Sequence, residues 1–243
     1  MSRLRALLFT APLVILATVA FGSAAFVISF FDPLGHRQIA VARAWSRALL
    51  HIGFVRVEVT GVEKISSHGS YVFASNHLSY MDTPVVLSNI PVQFRFLAKK
   101  GLFQIPFLGT HLARAGHIPV PREDPRAAVR TLTTAADAIR AHGISMLIFP
   151  EGGRSRDGVL QDFKEGGAYI AIKAGVPLVP IALEGTHAVL PFGSGVIVPG
   201  RVRMRVGDPI PTAGLTLRDR VRLTAQVRDE IVALLDTKTH AHA

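Results

Sequence analysis

Residues 6–31 carry no charged side chain over 26 consecutive positions, and this run restricts most strongly how the chain can fold. A helix of roughly 20 apolar residues crosses a bilayer core, so the run is long enough to lie in a membrane. Three structures fit it. They are a signal peptide cleaved near residues 23–25, a single span with Arg3 and Arg5 on the inner side, and the first arm of a hairpin that dips into one leaflet.

The segment after Pro33 favours the hairpin. Residues 36–51 predict a second helical arm, because apolar side chains recur there at near-helical spacing. These side chains are Ile39, Ala42, Trp45, Leu49 and Ile52, with Arg37, Arg43 and Arg47 as a basic flank. We therefore predict an N-terminal membrane-embedded helical hairpin over residues 1–53. The alternative for the second arm is an amphipathic helix that packs on the protein core.

Beyond residue 53, strand-like and helix-like runs alternate. The strand-like runs are residues 55–59, 71–75, 94–98, 146–149, 178–183 and 202–206. The helix-like runs are residues 83–88, 125–141, 166–173 and 217–235, and Gly143 and Gly175 follow two of them as C-terminal stops. This alternation predicts an α/β fold with a mainly parallel mixed sheet flanked by helices. We predict one folded domain over residues 54–236 and a frayed tail over residues 237–243.

The first motif with chemical content is the segment of residues 76–82, Asn-His-Leu-Ser-Tyr-Met-Asp, between a strand-like and a helix-like run. The imidazole of His77 titrates near neutrality, and a carboxylate such as Asp82 can hold its second nitrogen. Residues five apart do not share a helix face, so His77 is predicted in the turn and Asp82 near the start of the helix that Pro84 opens. The alternative is a turn histidine beside a plain helix cap.

The second motif begins at Phe149, the last residue of a short apolar run over residues 146–149, and continues through residues 150–158. Gly152 and Gly153 allow backbone N–H groups to approach an anion, and the guanidinium groups of Arg154 and Arg156 bind phosphate as bidentate donors. Both motifs follow strands, and ligands bind at the carboxyl ends of strands in open α/β sheets. An ordinary glycine-rich loop with solvated arginines is the alternative.

Composition indicates an anionic partner. The formal net charge is +10, and 49% of the residues are hydrophobic, which favours an anionic lipid surface. Aromatic residues are 7%, and no helix-turn-helix, zinc-finger or RNP pattern occurs, so we expect no nucleic-acid partner. The absence of cysteine excludes a thiolate nucleophile and a disulfide framework.

The two motifs together resemble the 1-acylglycerol-3-phosphate acyltransferase family of glycerolipid acyltransferases. Residues 76–82 match its NHxSxxD block, and residues 149–155 match its FPEGTRS block, with Gly153 where threonine is usual. Residues 99–109 and 118–122 are similar to the block between them, where Pro121 replaces the common acidic residue. Residues 179–186 are similar to a fourth block, so that the resemblance runs from about residue 50 to residue 211.

The resemblance implies direct transfer of an acyl chain from acyl-CoA or acyl-acyl carrier protein to the sn-2 hydroxyl of lysophosphatidic acid. The product is phosphatidic acid, and no metal or other cofactor is expected. His77 is the expected general base, and Asp82 is expected to fix its tautomer. Because such donors are cytosolic, the resemblance favours a leaflet-embedded hairpin on the cytoplasmic face of the inner membrane, in contact with membrane phospholipids.

The resemblance also implies the substrate-binding residues. Arg154 and Lys100 are expected to bind the acceptor phosphate, with Arg122 as a third candidate. Glu151 would orient the loop or the glycerol hydroxyl, and Asn76 would polarise the thioester or shape the turn. Ser79, Gly152 and Gly153 complete this set. Residues 102–108 would line an acyl-chain groove or form ordinary core.

Three other functions stay open. Acyl transfer to glycerol-3-phosphate or to another lysolipid needs the same groups. A membrane-surface binding protein would use the charge and keep the His-Asp pair as structure. A thioester or lipid-ester hydrolase would need no acceptor, although no G-x-S-x-G elbow surrounds Ser79.

Overall fold

A computed structural model describes residues 5–121 and 124–236 of the chain. The predicted hairpin is present as two packed helices, α1 (Ala6–Ser29) and α2 (His36–Ile52). Asp32 in the turn accepts the backbone N–H groups of His36 and Gln38, which begin α2. Within the described residues, α1 is the one helix that is long and apolar enough to cross a membrane. The tail that we predicted over residues 237–243 lies outside the described residues.

The turn of the hairpin is attached to the rest of the molecule. Gly35 has φ +70°, and a side chain there would meet the carbonyl oxygen of Ala115 at 2.6 Å. The buried Arg95 donates to the carbonyl of Leu34. Arg114 donates to the hydroxyl of Ser29 at 2.9 Å and to its carbonyl at 3.1 Å. The hairpin therefore packs along the domain instead of projecting from it.

Seven strands form the sheet. They are β1 (Val55–Thr60), β2 (Val72–Ser75), β3 (Phe94–Lys99), β4 (Ile118–Val120), β5 (Ser145–Ile148), β6 (Leu178–Glu184) and β7 (Gly200–Val206). Their order across the sheet is β1-β7-β6-β2-β5-β3-β4, and every neighbouring pair is parallel except β6 with β7. The predicted mainly parallel mixed sheet is confirmed.

Helices cover both faces of the sheet. After the hairpin they are α3 (Asp82–Asn89), α4 (Leu108–Arg114), α5 (Pro125–His142), α6 (Gly166–Ala174), α7 (Thr186–Val189) and α8 (Arg220–Asp236). Helices α2 and α3 share one apolar cluster with the sheet, and α5, α6 and α8 share the other. Helix α1 packs on α2, and most of the apolar side chains of α1 are exposed.

This packing decides between the two predictions for the second arm of the hairpin. Ile39, Leu49 and Leu50 of α2 are buried in the core, so the second arm is the amphipathic helix packed on the protein core that was the alternative. The apolar surface belongs to α1, where Phe9 and Leu16 are 64% and 65% exposed. Of the two arms, the first is therefore the one that offers an apolar surface for lipid.

The sequence pattern did not predict β4, α4 and α7. β4 has three residues with Pro119 at its centre, and proline weakens a strand pattern. α4 and α7 have seven and four residues, which is too short for a helical period to be recognised. The helix predicted over residues 217–235 begins as a 3₁₀ turn, Leu217–Asp219, before α8. Gly143 and Gly175 do end α5 and α6, both in the left-handed conformation.

Candidate active site

The site lies where β2 and β5 end. These strands are adjacent and parallel, so the segments that follow them meet at one edge of the sheet. The first motif follows β2, and the second motif follows β5. We call this edge the carboxyl edge of β2.

The turn after β2 places His77 against Asp82. The imidazole Nδ1 lies 2.7 Å from Oδ2 of Asp82, the first residue of α3. The same Oδ2 accepts the backbone N–H groups of Leu78 at 2.7 Å and Ser79 at 2.8 Å. An ionised carboxylate accepts only, so Nδ1 carries the proton and Nε2 keeps its lone pair. Asp82 is fully buried, whereas the side chain of His77 is 17% exposed. The pair therefore presents one basic nitrogen toward solvent.

The second motif holds the first one in place. The ring of Phe149 stacks on the imidazole of His77 with centroids 3.9 Å apart and planes 13° apart. Glu151 Oε1 accepts the backbone N–H of His77 at 2.6 Å, and Ser155 donates its N–H to the carbonyl of His77 at 2.8 Å. His77 is thus fixed through its ring, its N–H and its carbonyl.

Glu151 contacts backbone through both carboxylate oxygens. Its second oxygen accepts the N–H of Gln161 at 2.9 Å. Burial raises the pKa of Glu151, and the hydrogen bonds from Gln161 and His77 partly offset this. Glu151 thus joins the turn at His77 to the segment at Gln161, and neither carboxylate oxygen is without a protein donor.

The other two polar residues of the first motif also bond to backbone. The amide of Asn76 donates to the carbonyl of Leu183 at 2.9 Å and accepts the N–H of Leu183 at 2.7 Å. The hydroxyl of Ser79 donates to the carbonyl of Leu190 at 2.8 Å. Both side chains are buried. Their contacts shape the turn and tie it to β6 and to the segment after α7.

Arg154 contacts two aromatic rings. Its guanidinium carbon is 3.5 Å from the ring centroid of Tyr80 and 4.7 Å from that of Phe192. Arg156 lies over the same Phe192 ring at 5.6 Å. In the described part of the chain, Arg154 forms no ion pair with a carboxylate. Two rings thus orient the guanidinium plane while its N–H edge stays available to an anion.

Sequence analysis missed Lys164. Gly152 has φ +75°, and a side chain there would lie 2.9 Å from Nζ of Lys164, so the lysine crosses the glycine turn. The backbone N–H of Lys164 donates to the carbonyl of Pro150 at 2.9 Å, which holds it there. At Gly153 nothing lies within 4 Å of an added side-chain carbon, so the place of the usual threonine is open space. No local pattern marks Lys164, because its position depends on the fold of the loop before α6.

The remaining predicted residues have no described contact with the His77 turn. Lys100 follows β3, which neighbours β5, so it lies at the same edge of the sheet as Glu151. Arg122 lies outside the described residues.

Residues 102–108 are not core, because Leu102, Ile105 and Phe107 are 39%, 46% and 78% exposed. The ring of Phe107 contacts Phe26 of α1 at a centroid distance of 6.3 Å. This segment extends the apolar surface of the hairpin.

Comparisons with known proteins agree on one family. A family model described as Acyltransferase matches residues 56–184. The chain is 36% identical over 186 residues to the chloroplastic 1-acyl-sn-glycerol-3-phosphate acyltransferase of Arabidopsis thaliana, a match that covers 75% of this chain and 51% of that protein. It is 32% identical over 199 residues to the 1-acyl-sn-glycerol-3-phosphate acyltransferase of Borreliella burgdorferi, covering 80% and 78%.

A solved structure shows the same fold. The crystal structure of the 1-acyl-sn-glycerophosphate acyltransferase PlsC from Thermotoga maritima matches with a TM-score of 0.80 and 25% identity, over 99% of this chain and 100% of that one. The chain spans about half the length of the Arabidopsis relative and all of the length of this structure.

Proposed function

The chain belongs to the acyltransferase family, and we propose that it transfers an acyl chain from a thioester donor to the sn-2 hydroxyl of 1-acyl-sn-glycerol-3-phosphate. The product would be phosphatidic acid. The observation that carries the proposal is the His77–Asp82 pair, with its basic nitrogen toward solvent beside a loop that bears Arg154. A base beside an anion-binding group is what an alcohol with a neighbouring phosphate requires.

The reaction needs no covalent enzyme intermediate. Nε2 of His77 removes the hydroxyl proton, and the oxygen attacks the thioester carbonyl. The ester C–O bond forms, the C–S bond breaks, and the departing thiolate takes the proton from the imidazolium. Asp82 stabilises the imidazolium through Nδ1, and the stacked ring of Phe149 limits rotation of the imidazole. Acyl-CoA and acyl-acyl carrier protein both supply such a thioester.

The acceptor phosphate is assigned to the cations around the glycine turn. Arg154 supplies a planar donor fork, and Lys164 adds an ammonium group close to Gly152. Lys100 stays a candidate at the same edge, one strand away. Glu151, Asn76 and Ser79 are assigned to holding the loops, because their polar atoms bond to backbone. No step in this scheme uses a metal.

The hairpin is assigned to one membrane leaflet. Both of its ends pack on the domain, which places the long axis of α1 along the protein surface. An apolar helix in this orientation suits a helix that lies in the interface plane better than one that spans the bilayer. The cytoplasmic face of the inner membrane is the proposed location, since the donors are cytosolic.

A transfer assay tests the proposal. Purified full-length protein is given labelled acyl-CoA or acyl-acyl carrier protein, with and without lysophosphatidate. We expect labelled phosphatidate only when the acceptor is present, and a loss of about 10²- to 10⁴-fold in His77→Ala. Free fatty acid released without an acceptor would instead indicate a hydrolase. Substantial transfer by a folded His77→Ala protein would end the general-base assignment.

A further inference from the structure

A cavity of about 580 Å³ lies where the beginning of α1 meets the beginnings of β1 and β7. This volume is within the range of roughly 300–1,000 Å³ that is usual for ligand pockets. Arg5, Arg56 and Arg201 line it together with Phe54, and the described residues that line it include no Asp or Glu. Three cationic side chains therefore line the cavity, and the carboxylate nearest to them, Glu58, lies outside its described lining.

Two of these arginines are neighbours in the sheet. Arg56 of β1 is the register partner of Arg201 in β7, and adjacent strands lie roughly 4.8 Å apart. Like charges directly opposite each other destabilise a sheet. The next outward-facing pair, Glu58 and Arg203, is complementary and forms an ion pair at 3.1 Å. Arg201 reaches the same Glu58 only at 3.8 Å, and Arg56 has no ion pair within the described residues. Folding alone gives no reason for two arginines side by side here, whereas a bound anion does.

An apolar cleft joins the cationic cavity. It has a volume of about 310 Å³, shares Arg5 and Phe54 with the first cavity, and adds Phe9 and Leu13 of α1. Phe9, Leu13 and Phe54 are 64%, 49% and 55% exposed. Arg5 lies over the ring of Phe54 at 4.6 Å, where the two cavities meet. The combined cleft thus has a positive end and an apolar end.

The cleft and His77 lie at the same edge of the sheet, the edge at which β2 ends. β7 runs antiparallel to β6, and Glu184, the last residue of β6, is the register partner of Arg203. Arg201, two residues earlier in β7, therefore lies beyond the end of β6. Because β6 is parallel to β2, this is the carboxyl edge of β2, where the first motif follows.

We propose that this cleft binds an anionic glycerophospholipid of the membrane, with the headgroup phosphate against Arg56, Arg201 and Arg5 and an acyl chain along Phe9 and Leu13. Charge and shape agree with one molecule that has an anionic head and an apolar tail. A bound lipid at this place turns the carboxyl edge of β2 toward the leaflet. The inference rests on the proposed membrane placement of α1, and it does not depend on the proposed reaction.

The test compares two vesicle compositions. Full-length protein is partitioned onto vesicles of phosphatidylcholine and onto vesicles in which a third of this lipid is replaced by phosphatidylglycerol. The measured quantity is the ratio of the two partition coefficients, because insertion of the apolar hairpin contributes to both alike. We expect the Arg56→Gln/Arg201→Gln double variant to lower this ratio by about 25-fold, since one basic residue near an anionic surface contributes about fivefold.

The matched control removes the same charge elsewhere. Arg126 and Arg218 are exposed, belong to the segments that cover the opposite face, and line neither cavity. We expect the Arg126→Gln/Arg218→Gln variant to keep the ratio within about twofold, as expected for charges more than a Debye length from the membrane. An equal fall in both double variants would overturn the proposal, because it would show only nonspecific attraction. A wild-type ratio near one would overturn it as well.

Two further measurements separate the explanations. Coenzyme A carries phosphates but no acyl chain, so it should not lower the ratio when added at saturating donor concentration, and abolition of the preference would assign the arginines to the donor. The double variant should melt close to wild type, because the relief of the like-charge pair offsets the loss of the exposed Arg201–Glu58 ion pair, and a much lower melting temperature would contradict that interpretation. His77→Ala should lose transfer and keep the vesicle preference, so failure of the catalytic proposal and failure of the lipid site are distinguishable.

Discussion

The phenyl ring of Phe149 lies flat against the imidazole of His77, with a centroid separation of 3.9 Å, and the two residues come from different strand ends. The stack closes one face of the proposed base. Rotation about the side-chain torsions of His77 is therefore opposed by Phe149 on one side and by the hydrogen bond to Asp82 at the edge.

We expect Phe149→Leu to lower kcat by about tenfold with little change in the KM of the acceptor, because a loosened imidazole spends less time in the reactive orientation. Phe149→Tyr keeps the ring and serves as the control. Steady-state kinetics of both variants check this. A kcat of Phe149→Leu equal to that of wild type would show that the stack does not orient His77.

The aromatic contacts of Arg154 predict an effect on acceptor binding. Arg154→Ala should raise the acceptor KM by about 10- to 100-fold, the cost of a charged hydrogen-bonding partner. Tyr80→Leu should raise it less, by about threefold to tenfold, because the guanidinium stays present but loses one stacked ring. Tyr80→Phe should behave as wild type. The interpretation fails if Tyr80→Leu changes the KM for the thioester donor and leaves the KM for the acceptor unchanged.

Lys164 should contribute as a second cation at the acceptor phosphate. We expect Lys164→Gln to raise the acceptor KM by about tenfold, near the lower end of what one charged hydrogen bond contributes. Lys173 lies in α6 against Tyr169, and Lys173→Gln is the matched loss of charge away from the turn. An acceptor titration of both variants decides the matter. Equal effects would mean that Lys164 acts only through the net charge of the protein.

Adjacent glycines should respond differently to a side chain. Gly152→Ala should lower the free energy of unfolding by about 1–3 kcal/mol, because the backbone at this position has a left-handed φ and the added methyl group would displace Lys164. Gly153→Ala should be neutral or raise it by up to about 1 kcal/mol, since its φ is not left-handed and the space beside it is open. Urea unfolding measures both. A Gly153→Ala protein less stable than Gly152→Ala would contradict this geometry.

Burial of Glu151 predicts a dependence of stability on pH. The raised pKa means that the folded chain keeps a proton that the unfolded chain has released. Stability from this group is therefore complete below the unfolded pKa of about 4.3 and falls as pH rises through the folded pKa. Glu151→Gln has no such titration. It should be less stable by about 1–3 kcal/mol at acidic pH, because its amide cannot accept both backbone N–H groups.

Urea unfolding of wild type and Glu151→Gln at a series of pH values checks the sign. The stability difference between the two proteins should narrow as pH rises above about 4.3. A difference that widens over the same range would mean that the folded protein lowers the pKa of Glu151 instead.

Local sequence determined the elements that depend on near neighbours. The strand before His77 and the helix that begins at Asp82 follow from hydrophobic runs and from the spacing of five residues, and these put the imidazole and the carboxylate in one turn. The glycines after α5 and α6 are likewise local signals. The apolar stretch before residue 32 indicated the hairpin. The burial of α2 could not be predicted from it, because that burial depends on contacts with α3 and the sheet.

Tertiary structure decided which groups meet around that turn. Three contacts join segments that are separated in sequence. They are the stack of Phe149 on His77, the packing of Arg154 against two aromatic rings, and the passage of Lys164 over Gly152. The pairing of Arg56 with Arg201 depends on β1 and β7 becoming neighbours, although 144 residues separate the two arginines. Strand order is set by burial of the whole sheet between two helical layers. The free energy of this burial comes from contacts between residues far apart in sequence, so a short segment does not determine it.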